Sequence, residues 1–176
     1  MPVKPVITSN TPLVALWVLG YLDLLRQLFD EVWVPQAVCA EFLAAEPALR
    51  QAALEASPWI RCISLQNPQQ VAVYIGLDRG EAEVLALAKE HPPRLVIMDE
   101  LRGRRYARRL KLPLTGTLGV LLLAKERGLI STADSPSVPR SRSRRRAVRR
   151  GAADYVGCAR LYPSPRTRPR DFAPAH

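Results

Sequence analysis

Short runs of apolar, often β-branched residues alternate with segments of helical periodicity through residues 1–130, and this alternation limits the fold more than any other feature. A buried strand is typically a run of roughly 4–8 apolar residues, whereas apolar residues that recur every three or four positions predict a helix. We predict strands at 3–8, 31–35, 59–65, 94–98 and 112–115. We predict helices on both sides of Gly20 and at 37–45, 48–56, 80–90, 100–110 and 117–127. Strands that alternate with helices indicate an α/β fold built on a parallel sheet.

The composition changes abruptly after residue 130. Residues 131–176 hold 11 of the 26 basic residues and 3 of the 16 acidic ones, so they carry a net charge of +8 and residues 1–130 carry only +2. Because this segment has only five Val, Leu and Phe residues, it cannot bury a core. We therefore predict a domain at 1–130 and a disordered tail, rich in Arg, Pro and Ser, at 131–176. The arginine run at 140–150 indicates either a nucleic-acid-binding arm or a solvated tail, and the bias toward GC-rich codons also fits a frameshift.

The overall composition excludes several classes of protein. Hydrophobic residues make up 48% and charged residues 24% of the chain, which is typical of a globular domain and not of collagen or a fully disordered chain. The longest uncharged apolar stretch, Val14–Leu22, is about half the ~18 residues that a membrane-spanning helix needs. No signal-peptide pattern is present, so we expect a cytoplasmic protein without a membrane partner. The three cysteines, Cys39, Cys62 and Cys158, lack a CxxC spacing, so neither a disulfide framework nor a zinc site is expected.

Acidic side chains lie near the predicted strand ends, where α/β folds place their functional sites. Asp99 ends an apolar strand, Glu41 lies among apolar neighbours in a helix, and Glu81 opens another helix. Hard cations such as Mg²⁺ and Mn²⁺ prefer oxygen ligands, and a cluster of three acids suits metal-assisted hydrolysis of a phosphodiester. Taken singly, Glu83 and Glu100 are better explained as acids in the first turn of a helix, where they favour the helix dipole.

A basic cluster follows Asp99 on the predicted helix 100–110. Its cations recur at helical spacing, and they are Arg102, Arg104, Arg105, Arg108, Arg109 and Lys111. Two interpretations remain open, namely contact with a phosphate backbone beside the acidic site and an ordinary solvated helix face.

Four segments taken together resemble the PIN domain superfamily, and they cover about residues 3–130. They are 7–16 (ITSNTPLVAL), 22–42, 77–88 (LDRGEAEVLALA) and 95–130. The resemblance is closest to an uncharacterised bacterial and archaeal PIN-like branch related to the toxin nucleases of type II toxin–antitoxin modules. It implies a three-layer α/β/α fold with a central parallel sheet, and an acidic cluster that binds Mg²⁺ or Mn²⁺ and cleaves RNA.

Carried over by position, the resemblance implies four metal ligands, of which three are also catalytic. The metal ligands are Asn10, Glu41, Glu81 and Asp99, and the catalytic residues are Glu41, Glu81 and Asp99. Thr11 matches a supporting hydroxyl, and Arg104, Arg105 and Arg108 are assigned to the RNA backbone. The implied partners are an RNA substrate, an antitoxin protein and a second copy of the chain in a homodimer.

The chain departs from the family pattern at two places. Asn10 replaces the first acid, and an amide oxygen ligates a hard cation without bringing a charge. After residue 130 the chain lacks the amphipathic helix of its relatives, which leaves an apolar surface at Leu121–Leu123 uncovered, at about 1.5–3 kcal/mol per large side chain. The alternatives to a nuclease are therefore a non-catalytic PIN-like module that binds nucleic acid or protein, and a decayed gene product.

Overall fold

A computed structural model describes residues 4–130 of the chain. The five strands are β1 (Val6–Thr8), β2 (Val32–Pro35), β3 (Ile60–Ile63), β4 (Leu95–Ile97) and β5 (Leu114–Thr115). The seven α-helices are α1 (Asn10–Val18), α2 (Asp23–Phe29), α3 (Gln36–Ala44), α4 (Pro47–Glu55), α5 (Arg79–Glu90), α6 (Leu101–Arg109) and α7 (Thr117–Glu126). Each lies where the sequence predicts an element of its type. A 3-10 helix at Pro68–Val73 was not predicted, because its sequence PQQVAV has no clear period.

All five strands are parallel, in the order β3-β2-β1-β4-β5. Val6 lies opposite Val32 on one side and Leu95 on the other, so β1 is the central strand. With helices on its faces, this sheet confirms the predicted three-layer α/β/α fold. The chain moves from β1 outward through β2 to β3, and then crosses to β4 on the other side of β1. The carboxyl ends of β1 and β4 therefore form the switch point at which such folds bind ligands.

Helix α5 lies at the centre of the packing. It contacts α3, α6, β1 and β2, and every residue from Gly80 to Ala88 is buried. The strand side chains beneath it are buried as well, since Val6, Ile7 and Ile97 have no exposed surface. The first residues of α5 are consequently fixed against the carboxyl edge of the sheet by the hydrophobic core itself.

A disulfide joins Cys39 of α3 to Cys62 of β3, with 6.4 Å between the Cα atoms. The prediction that no disulfide forms is therefore wrong for this pair. The two cysteines are 23 residues apart and fit no short motif. They meet because α3 follows β2 and packs back over β3, the neighbouring edge strand.

Two leucines on α7 are exposed, with Leu118 showing 55% and Leu122 46% of its surface. They are four positions apart and therefore lie on one face of the helix. Of the range Leu121–Leu123, for which the sequence predicts an uncovered surface, Leu122 is exposed and Leu121 and Leu123 are half-buried. The predicted tail at 131–176, including its disorder or frameshift, lies outside the described residues.

Within residues 4–130, no single helix is long and apolar enough to cross a membrane. Helices α1 and α2 reach that length and hydropathy only when they are taken together, and a bend of 116° separates them.

Candidate functional site

The switch point between β1 and β4 contains polar oxygens that have no partner. The Ser9 amide donates a hydrogen bond to the Ile97 carbonyl over 3.0 Å, which fixes the end of β1 against β4. The next residue, Asn10, begins α1. The Ser9 hydroxyl oxygen and the Asn10 Oδ1 are buried and make no hydrogen bond. Because a buried polar atom without a partner costs free energy, these oxygens indicate a place for a ligand.

Glu81 lies in the first turn of α5, and Glu100 links it to this region, because Glu100 accepts a hydrogen bond from Thr11 and its charge acts on the Glu81 carboxyl. Asp78 caps this helix, since its Oδ1 accepts a hydrogen bond from the Glu81 amide over 2.7 Å. The side chain of Glu81 is only 7% exposed, and its Oε1 has no hydrogen-bond partner. Burial raises the pKa of the Glu81 carboxyl, and the negative charges of Asp78 and Glu100 raise it further, while the backbone amides of Asp78 and Gly103 lower it by a smaller amount.

Gly103 of α6 allows Glu81 to be buried this closely. A β-carbon built on Gly103 would lie 2.9 Å from the Glu81 Oε1 and would also collide with the sulfur of Met98. The absence of a side chain at Gly103 therefore leaves the space that the carboxylate occupies.

Glu41 approaches the start of α5 from α3. Its Oε1 accepts a hydrogen bond from the Gly80 amide over 3.1 Å, and a β-carbon on Gly80 would lie only 2.6 Å from the same oxygen. The pKa of Glu41 is raised, first by burial and then by the charge of Asp78, with a smaller contribution from Glu83. Glu41 also lines a cleft of about 380 Å³, together with Gln36, Ala37, Ala40 and Arg79.

Glu83 has a structural role that explains its burial. Its Oε2 accepts a hydrogen bond from the Ala37 amide at the start of α3 over 2.9 Å, and its Oε1 pairs with Arg79 over 3.0 Å. The carboxylate therefore satisfies an amide in the first turn of α3. This contact differs from the prediction from sequence, in which the Glu83 carboxylate favours the dipole of its own helix.

Asp99 and Glu100 point to different partners although they are adjacent. Asp99 accepts two hydrogen bonds from Thr117, at 2.9 Å from the amide and 2.5 Å from the hydroxyl, so it holds the start of α7. Glu100 accepts a hydrogen bond from the Thr11 hydroxyl over 3.4 Å and raises the pKa of Glu81. Glu100 therefore belongs to the acidic site, although we attributed it to the helix dipole. The sequence signal for this role was the position of Glu100 shortly after the carboxyl end of β4.

The acidic residues around the start of α5 form two groups, one at Glu41 and one at Glu81, and Asp78 belongs to both. The charge of Asp78 raises the pKa of Glu41 and of Glu81, while the charge of Glu100 raises the pKa of Glu81. Within residues 4–130, no three His, Cys, Asp or Glu side chains are placed to hold one metal ion together. The donor chemistry nevertheless fits Mg²⁺ or Mn²⁺, since the unpartnered oxygens of Asn10 and Glu81 are hard ligands in a negatively charged region. A site shared by Glu41, Glu81 and Asp99 stays a prediction.

The three arginines assigned to RNA have different surroundings. Arg104 is half-buried and donates to the carbonyls of Met98 and Thr115 over 2.7 and 3.1 Å, so it ties α6 to the ends of β4 and β5. Arg105 is exposed and lines a cleft beside α6. Arg108 is exposed on another face of the helix. Contact of these residues with RNA stays a prediction.

The fold and the polar edge define a doubly wound α/β domain whose candidate site lies at the switch point of the sheet. The model of the PIN domain family matches residues 5–136, about three quarters of the chain. The chain therefore belongs to the PIN domain family, which confirms the resemblance. The match includes residues 131–136, beyond the predicted end of the domain. No curated protein matches the chain.

Proposed function

We propose that this protein is a metal-dependent endoribonuclease of PIN type. The observation that carries this proposal is the pair of buried oxygens without partners, Asn10 Oδ1 and Glu81 Oε1, at the switch point of a PIN domain. A carboxylate that stays buried among like charges costs stability, and a divalent cation offsets that cost. The raised pKa values of Glu41 and Glu81 reflect the same electrostatic imbalance.

Mg²⁺ or Mn²⁺ would be held by Asn10 and Glu81, with Glu41, Asp99 and Glu100 around them. Such an ion supplies activation of a water molecule and stabilisation of charge on the phosphate. The protein itself holds the acidic side chains in position. The Gly80 amide orients Glu41, the Thr11 hydroxyl orients Glu100, and the core fixes the start of α5.

The cellular role that we propose is that of a toxin in a type II toxin–antitoxin module, acting in the cytoplasm. An antitoxin encoded elsewhere would restrain it, and the protein would act as a homodimer. The exposed leucines of α7 give an apolar face suited to such contacts.

Cleavage of RNA by the full chain, with and without Mn²⁺, tests the nuclease proposal. We expect Glu81→Gln to lower the rate at least ~100-fold, since the neutral amide removes a charged ligand. Glu126→Gln, which changes an exposed acid on α7, is the matched control and should leave the rate unchanged. Wild-type protein that neither cleaves RNA nor is stabilised by Mn²⁺ would contradict the proposal.

A non-catalytic PIN module is the second candidate. It is favoured by the absence, within residues 4–130, of three acidic, His or Cys side chains poised around one ion, and by the amide at position 10. This candidate predicts that RNA or a protein partner binds equally well in Mn²⁺ and in EDTA, and that no cleavage occurs.

A further inference from the structure

A second polar feature lies beside the acidic site, in a cleft of about 250 Å³ between α6 and the loop that leads to α5. Three arginines of α6 line it, Arg102, Arg105 and Arg109, and no acidic residue does. All three are exposed, and their spacing places them on one face of the helix. Three like charges around one cleft, with no acid lining it, create a local positive potential that attracts an anion.

The geometry of the cleft is fixed by its own contacts. Arg102 donates a hydrogen bond to the Gly76 carbonyl over 3.2 Å, and the Tyr106 hydroxyl donates to the Ile75 carbonyl over 3.1 Å. The guanidinium carbon of Arg109 lies 5.7 Å from the centre of the Tyr106 ring. Within residues 4–130, no hydrogen bond or ion pair engages the side chain of Arg105. The walls are therefore held in place while cationic donors face the opening.

An apolar wall accompanies these charges. Ile75 is 83% exposed, and the half-buried ring of Tyr106 packs edge-on against Tyr74 at 5.7 Å. An exposed isoleucine beside a fixed aromatic ring offers an apolar surface to a flat, unstacked base, while the arginines suit the adjoining phosphate. In a duplex the bases are stacked inside and do not reach such a wall. The combination therefore favours a single strand.

The cleft is continuous with the acidic site along the chain. Gly76 precedes Asp78, the cap of α5, by two residues, and Arg102 precedes Gly103, against which Glu81 is packed. A single strand of RNA with one phosphate at the acidic site would therefore place its next nucleotide in this cleft beside α6.

We propose that this cleft binds one nucleotide of single-stranded RNA next to the nucleotide that is cleaved, with its phosphate at Arg105 and Arg109 and its base against Ile75. This inference rests on the proposed nuclease function. It also changes the predicted RNA contacts from Arg104, Arg105 and Arg108 to Arg105 and Arg109. Arg104 donates to backbone carbonyls, and Arg108 lies on another face of α6.

Binding of a fluorescent RNA octamer to the full chain in EDTA, across a series of salt concentrations, tests the proposal without any cleavage. Each phosphate contact on a single strand contributes about 0.7 to the salt slope, or about fivefold in affinity at ~0.1 M salt relative to 1 M. Because Arg105 and Arg109 share one phosphate in this proposal, we expect Arg105→Ala with Arg109→Ala to lower affinity about fivefold and the slope by about 0.7. All variants keep the arginines after residue 130, so the difference reports the cleft alone.

The matched control is Arg26→Ala with Arg61→Ala, which removes two exposed cations from α2 and β3. It should change the affinity less than twofold. Arg105→Gln alone is the second variant, because Arg109 also packs on Tyr106, and it should lower both the affinity and the slope by less than the double variant does. Equal losses in the two double variants, or no loss in either, would overturn the proposal.

Competition separates the possible sources of the phosphate. Single-stranded RNA should displace the probe far better than a mononucleotide or a polyglutamate peptide. A mononucleotide that competes as well as the octamer would overturn the proposal that the cleft binds a strand of RNA. A polyglutamate peptide that competes as well as RNA would overturn it too, and would indicate that the cleft binds an acidic protein. Glu126→Gln, at an exposed acid of α7, should bind RNA with unchanged affinity. If the wild type fails to cleave RNA while the arginine variants lose RNA binding, the nuclease proposal is wrong and the proposal that the cleft binds RNA is supported.

Discussion

Two glycines bring helix backbone against the carboxylates of the candidate site. Gly80 donates its amide to Glu41, and Gly103 leaves the space in which the Glu81 oxygen is buried. A side chain at either position would meet a carboxylate oxygen within 3.0 Å. The acidic residues are thus as dependent on their small neighbours as on their own identity, and their electrostatic state is set by burial.

Glu81→Gln should stabilise the protein at neutral pH in EDTA. The raised pKa of Glu81 means that the folded state holds a proton to a higher pH than the unfolded state does. The free energy of unfolding therefore falls as the pH rises from the ordinary glutamate value of ~4.3 through the raised pKa. The neutral amide lacks this penalty, so Tm should rise by a few degrees at pH 7.5 and change little at pH 4. Thermal melts check this, with Glu126→Gln as control, and a lower Tm at pH 7.5 would contradict it.

Asn10→Asp should make stability strongly dependent on metal. The new carboxylate adds a negative charge near Glu81 and Glu100, so the variant should melt below the wild type in EDTA. If the ion binds here, the extra charge tightens binding, and a tenfold tighter Kd adds about 1.4 kcal/mol of stability at saturating Mn²⁺. Melts with and without Mn²⁺ measure both effects. A loss of stability that Mn²⁺ does not reverse would argue for the non-catalytic module.

At the scale of elements, helix α3 has two anchors. Its first turn is held by Glu83 of α5, and Cys39 ties it to β3 through the disulfide. Glu41, which lies two residues after Cys39, depends on both anchors for its position.

Loss of the Cys39–Cys62 bond should lower stability by about 3 kcal/mol, since the bond closes a loop between residues 23 apart in the unfolded chain. Urea unfolding of the wild type with and without a dithiol reductant checks this. Cys62→Ser should reproduce the effect of the reductant, whereas Cys158→Ser, the control, should not. Equal sensitivity of Cys62→Ser and wild type to the reductant would contradict the prediction.

Local pattern predicted the elements because each is encoded locally. Gly20, with φ +72°, separates α1 from α2 as expected, and the apolar run at β4 forms an inner strand between β1 and β5. Side-chain partners were less predictable, because they depend on distant chain segments. Asp99 turns toward Thr117, 18 residues away, and of these two adjacent acids it is Glu100 whose charge raises the pKa of Glu81. Likewise, no local sequence pattern predicts that Cys39 of α3 bonds to Cys62 of β3.

At the scale of the whole molecule, opposite charges are segregated on neighbouring surfaces. Carboxylates surround the start of α5, while the arginines of α6 line the adjacent cleft. Residues 1–130 carry a net charge of only +2, so this local separation, and not the total charge, would orient an anionic ligand at the proposed cleft.

The leucine face of α7 should govern self-association. Leu118→Lys with Leu122→Lys should leave Tm nearly unchanged, because both side chains are exposed and exposed substitutions usually change stability by less than ~0.5 kcal/mol. If a second copy covers this face, the variant should be monomeric where the wild type is a dimer. Sedimentation equilibrium measures this, with Leu49→Lys, at another exposed leucine, as control. An unchanged dimer would place the interface elsewhere.

The burial of α5 has a consequence for how this chain can change under selection. Glu81 lies on a helix that is buried from Gly80 to Ala88, so the residue to which we assign the metal is also one whose charge lowers the stability of the fold. A lineage that no longer needed the reaction would gain stability from almost any neutral replacement at this position. Drift would therefore remove Glu81 early. Its presence in this sequence is what continued use of the site would maintain.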